Sequence, residues 1–173
     1  MTAAGVTECL TGAPGGDLDP LLAAERAAGA PPDPLVRLAA RAGGPPARDL
    51  RLSSREQATL AALAPPWNDL GVDPRAWRDR LYALGGERFR GRALLAATAG
   101  EAEQLAPRLK LADTWRAPTF PLKGADLLAL GATPGPRLGA LLAELEDEWR
   151  AADFAPDRDT LLAAARRRIG RRP

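Results

Sequence analysis

The apolar residues of this chain are almost all alanine and leucine, and that choice restricts it to helices. Hydrophobic residues make up 46% of the 173, yet aromatic residues only 5%. Val6, Val36, Val72 and Ile169 are the only β-branched aliphatic residues. Strands draw on β-branched and aromatic side chains, which fit a pleated surface, whereas Ala and Leu give up little freedom in a helix. Glycine and proline, 17 of each, cluster between leucine-rich segments, where they punctuate. The expected fold is all-α: an irregular multi-helix array, with a helical body over residues 1–117 and a small helical tail over 118–173.

The punctuation places the helices. Residues 1–16 read as a frayed end, and Asp17 caps a helix that closes near Gly29. Asp33-Pro34 and Asp73-Pro74 each pair an N-cap carboxylate with a first-turn proline. Gly43-Gly44-Pro45-Pro46 ends the helix that Asp33 opens, and Ser53 with Glu56 forms a capping box for the next. Trp77, Leu81 and Leu84 recur at helical spacing, and Gly85-Gly86 stops them. A helix from Glu87 to Thr98 turns Phe89, Leu94 and Leu95 inward and presents Arg88, Arg90 and Arg92 on its other face. The stretch from Glu101 to Trp115 is helical, with a kink expected at Pro107.

An extended linker, Trp115 to Pro121, leads into the most informative segment. Gly124 and Asp126 open a short helix, and Gly131 follows its leucine-rich turn as a left-handed C-cap. Pro134-Gly135-Pro136 breaks the chain and restarts it, with Arg137 and Gly139 beside the new helix's unpaired backbone N–H groups. Such a helix start can receive one phosphate. Leu138, Leu141, Leu142, Leu145 and Trp149 form an apolar stripe, while Glu144, Glu146, Asp147 and Glu148 make a solvated face.

Several chemistries have no residues to carry them. The chain contains no histidine, so it lacks the usual general base and every Ser–His or Cys–His pair. Cys9 stands alone, which excludes an internal disulfide and a cysteine-based metal site. No P-loop pattern occurs. Asp157-Arg158-Asp159 has the spacing of a two-metal carboxylate pair, but at a helix start it reads as a cap. No catalytic or metal-ligating set is therefore assigned. The apolar runs are too short to span a membrane and no signal peptide opens the chain, so the expected location is cytoplasmic.

The charge balance is mildly basic, net +2 with a pI near 9.2, and the positive charge is nearly all arginine. Guanidinium groups fork onto phosphate. Arg88, Arg90, Arg92, Lys123 and Arg137, with the terminal arginines, are candidate phosphate contacts for RNA.

The segment from Phe120 to Trp149 resembles the tail of bacterial CCA-adding tRNA nucleotidyltransferases, of the poly(A) polymerase family. The shared pattern is Gly124-x-Asp126-Leu127, an apolar turn ending in Gly131, Pro134-Gly135-Pro136, then Gly139 and a leucine stripe. Asp33 to Ala39 and Leu50 to Glu56 are similar to segments of that family's helical body. The resemblance implies a body and tail that hold the acceptor and TΨC arms of tRNA for a catalytic head. The head's Gly-Gly-x-Val-Arg-Asp and Asp-x-Asp motifs, and with them Mg2+ and CTP or ATP, are not in this chain. Met1 reads as beginning inside the body, so the chain is expected to be a fragment, a split or mis-started gene product, or half of a two-chain enzyme, inactive alone, with a separate head chain or self-association as further partners. A different class of function, a helical adaptor that binds protein, is the alternative.

Overall fold

In the computed structural model, residues 16–42 and 50–170 are described. Among them every regular element is helical and no strand occurs. The chain divides into two compact units, Met1–Trp115 and Arg116–Pro173.

The first unit contains α1 (Asp19–Ala28), α2 (Pro34–Ala42), α3 (Ser54–Ala62), α4 (Pro74–Leu84), α5 (Gly86–Ala96) and α6 (Leu105–Thr114). Local signals set most of their ends. Asp33 Oδ1 accepts from the N–H groups of Leu35 and Val36 at 2.8 and 3.3 Å. Asp73 does the same for Arg75 and Ala76, at 2.8 and 3.0 Å. Ser53 and Glu56 complete their reciprocal box. Gly29, with φ +60°, ends α1 in a left-handed turn. The Gly43–Pro46 stop lies outside the described residues.

The break between α5 and α6 lies where the two predicted helices leave a gap, between Thr98 and Glu101, although α6 begins only at Leu105. It falls at Ala97–Glu101, a π turn with Gly100 at φ +102°. Pro107 does not kink anything. It occupies the first turn of α6, where a missing N–H costs no hydrogen bond.

The first unit's core gathers Leu21, Leu63, Leu70, Phe89 and Leu95, all essentially without solvent contact. Gly91 lets α5 approach closely. A Cβ there would stand 2.7 Å from Val36 Cγ2 and 3.1 Å from Leu63 Cδ2. Among the described residues three charged side chains are buried, each with a partner, as burial of charge requires. Glu25 holds Arg37 at 2.7 Å. Arg108 is fully buried, 2.6 Å from Glu101, bonded to the Gly71 carbonyl at 2.9 Å and stacked over Trp77. Arg92 is the third.

The second unit contains α7 (Gly124–Ala129), α8 (Pro136–Ala151) and α9 (Arg158–Gly170). Leu122, Leu127, Leu141, Leu145, Trp149, Leu161 and Ala165 are buried in it. Trp149 meets Phe120 at 5.3 Å and Phe154 edge-on at 5.0 Å. Phe154 reaches that position because α8 ends in a Schellman turn: the Phe154 N–H bonds the Trp149 carbonyl and the Asp153 N–H bonds that of Arg150. The turn holds Asp153 and Phe154 at φ +55° and +63°.

Candidate nucleic-acid interface

The α7–α8 turn is built by its glycines and prolines. The Gly131 N–H bonds the Leu128 carbonyl at 2.9 Å and the Ala132 N–H bonds that of Leu127 at 3.0 Å, a Schellman closure with Gly131 at φ +89°. Gly135 follows at φ +133°, ψ −171°, a region open essentially to glycine alone. Pro136 then starts α8, and Gly139 stands exposed one turn in.

Asp126 is committed to this architecture. Its Oδ2 accepts the Lys123 N–H at 2.7 Å and its Oδ1 accepts from Arg158 at 2.6 Å. The Lys123 N–H, then the Arg158 guanidinium, hold the carboxyl below its ordinary pKa. Asp157 caps α9 by accepting the Thr160 N–H; the Thr160 side chain, then that N–H, lower its pKa too.

Beside the turn lies a cleft of about 310 Å³, edged by Gly131, Thr133, Arg137, Leu138 and Arg168. Arg137 is exposed, and α8 begins without any side-chain cap. Pro136 has no N–H to offer, and that of Leu138 is turned back on the Gly135 carbonyl at 3.0 Å. The backbone contribution to an anion site is thus smaller than a bare helix start would supply, and the side chains matter more. Arg168 pairs with Glu148 through Nη2, while its Nη1 is buried without a hydrogen-bond partner. Arg166 and Arg167 are exposed on the same turn of α9. Lys123 is exposed at the start of α7.

The three arginines of α5 do not share one fate. Arg88 is half-buried and donates from Nε to Thr59 Oγ1 at 3.3 Å. Arg90 pairs with Asp113 at 2.5 Å. The Arg92 side chain is only 7% exposed and faces inward, contrary to the open face expected of it. Its guanidinium holds Asp69 (2.9 and 2.5 Å) and the carbonyls of Ala62 (2.7 Å), Ala64 (2.8 Å) and Pro66. With its donors spent on one loop, Arg92 has none to give a phosphate. Its spacing of three from Phe89 and four from Ala96, both buried, is the sequence signal for that orientation.

Among the described residues no group of three or more His, Cys, Asp or Glu is placed to hold a metal ion. Of the Asp157-Arg158-Asp159 pair, Asp157 caps α9. The described residues therefore do not fit a polymerase-type metal site. No described helix is long and apolar enough to cross a membrane.

No family model matches the chain. Over 55 residues it is 34% identical to the mitochondrial CCA tRNA nucleotidyltransferase 1 of Mus musculus, and equally to that of Homo sapiens. The matched region is 32% of this chain and 13% of each of those proteins. The Danio rerio protein of the same name is 41% identical over 49 residues, 28% of this chain and 11% of its own. The match thus spans only a small part of the length of these relatives. Part of this all-α chain is related to CCA tRNA nucleotidyltransferases.

Proposed function

We propose that this chain is a tRNA-binding body and tail of a CCA-adding enzyme of bacterial type, holding the acceptor and TΨC arms by their phosphates while residues outside these 173 add the nucleotides. The regional identity to tRNA nucleotidyltransferases carries the reading. The distribution of free charge supports the second unit as the main binding surface. There Arg137, Arg166, Arg167 and Lys123 are all exposed. In the first unit Arg90 is neutralised by Asp113, Arg92 is buried, and Arg88 alone of the three lacks a carboxylate among the described residues. Binding of this kind follows RNA shape and falls with salt. Mg2+ and CTP or ATP would act at the separate head, and the chain would work in the cytoplasm.

A filter-binding titration of the chain with tRNA at several salt concentrations tests it. Arg137→Ala and an Arg166→Ala, Arg167→Ala pair are expected to weaken binding. Each should also flatten the salt dependence, by about one unit of slope for every phosphate the variant no longer grips. No binding at low salt would return the chain to the adaptor class. Only Val72 and Leu128 are exposed large apolar residues among those described, which is a small surface for such a role.

A further inference from the structure

The first unit contains a larger cavity, about 650 Å³, between the α1–α2 connection and helices α2, α3, α5 and α6. Its volume is within the range of small-molecule sites. Val36, Leu63, Leu94 and Leu109 line its apolar side, with Pro31, Pro32 and Pro34 at the edge. No aromatic ring is among the lining residues, so nothing offers a stacking platform for a base.

The charged side of the mouth is almost entirely self-satisfied. Asp33 caps α2, Glu56 closes the box with Ser53, Arg55 meets Glu87 at 3.4 Å, and Arg90 pairs with Asp113. Arg88 is the exception. Its Nε donates to the Thr59 hydroxyl, and no carboxylate pairs with it among the described residues. One uncompensated guanidinium therefore stands beside an aliphatic lining. The flanking carboxylates of Asp33, Glu56 and Glu87 disfavour a polyanion in the same place.

We propose that this cavity binds an aliphatic body carrying one anionic group, a medium-chain carboxylate or an alkyl phosphate. The tail lies against Leu35 and Leu109, the lining leucines that keep some exposed surface, and the Nη atoms of Arg88 fork onto the head group. Hydrophobic burial contributes most of the affinity, and the charge-assisted bond selects anions over neutral chains. The inference does not rest on the RNA reading, whose main binding surface is in the other unit.

The test is a methyl NMR titration of the full chain with octanoate and octyl phosphate, both below micelle formation, with octan-1-ol and uridine monophosphate alongside. Saturable shifts are expected at the Leu35 and Leu109 methyls with an octyl anion, and none at Leu145. Arg88→Gln should weaken binding about tenfold or more. Thr59→Glu, which places a carboxylate against the guanidinium from the face of α3, should weaken it comparably and serves if Arg88→Gln fails to fold. The tighter of the two octyl anions identifies the head group. The proposal is overturned if neither anion saturates, if octanol binds as well, if uridine monophosphate binds better, or if the folded variants bind like wild type. A chain that ignores tRNA but binds an octyl anion would refute the RNA reading and leave this one standing.

Discussion

Replacing Arg92 by methionine separates a scaffold arginine from a ligand-binding one. Methionine keeps much of the apolar stem but removes every donor. The carbonyls of Ala62, Ala64 and Pro66 are left without their donor, and Asp69 keeps only the looser ion pair with Arg80 at 3.7 Å. Breaking a buried ion pair from one side costs about 3–5 kcal/mol. The Asp69 side chain is 34% exposed and recovers some hydration, so the lower end, about 3 kcal/mol, is expected. With a urea slope of about 2 kcal/mol/M, the unfolding midpoint should fall by about 1.5 M. Tryptophan fluorescence reports it, since Trp67 hangs on the same loop with Nε1 bonded to the Leu63 carbonyl at 2.9 Å. At temperatures where the variant remains folded, its tRNA affinity should match wild type. A variant within about 0.5 kcal/mol of wild type in stability, yet weakened toward tRNA, would refute the assignment of Arg92 to the scaffold.

Other expectations concern the second unit. Gly131→Ala should destabilise it by about 1 kcal/mol, because alanine must adopt a left-handed conformation there. Gly135→Ala should cost about 1–3 kcal/mol and displace the start of α8; thermal melts followed at Trp149 measure both. The Asp126 carboxyl has a folded pKa below its ordinary value near 4. Its stabilising effect is therefore complete above the unfolded value and disappears as pH falls through the lower folded one. Asp126→Asn should lower the melting temperature near neutral pH and narrow its gap from wild type as the buffer is made more acidic than about pH 4. A gap that stays constant with pH would show the carboxylate charge to be idle.

What the sequence discloses here is local. The caps at Asp33, Ser53 and Asp73, and the glycine stops at Gly29 and Gly131, each depend on atoms within about six residues, so composition and spacing suffice to place them. The all-α architecture follows from the same short-range preferences. Arg92, Arg108 and Glu25 needed knowledge of what packs against them. The register of Arg92 with Phe89 and Ala96 hints that it turns inward, but its partners, Asp69 and three carbonyls, lie 23 to 30 residues away in sequence. Pro107 misled for a related reason: its effect depends on whether it falls inside a helix or in its first turn, and Gly100 settled that by breaking the chain first. At the candidate interface, the turn that presents Arg137 was legible from Gly131 to Pro136. The placement of Arg137 and Arg168 around one cleft was not, because the packing of α9 against α8 brings them together.

The slope of tRNA affinity against salt decides whether the second unit grips RNA by its backbone. If exposed arginines of the second unit hold RNA by its phosphates, log K should fall linearly with log salt, by about 0.9 for each phosphate held. Arg137→Ala should flatten that line without changing the melting temperature. An affinity that is absent at low salt, or that does not change with salt, would contradict the account.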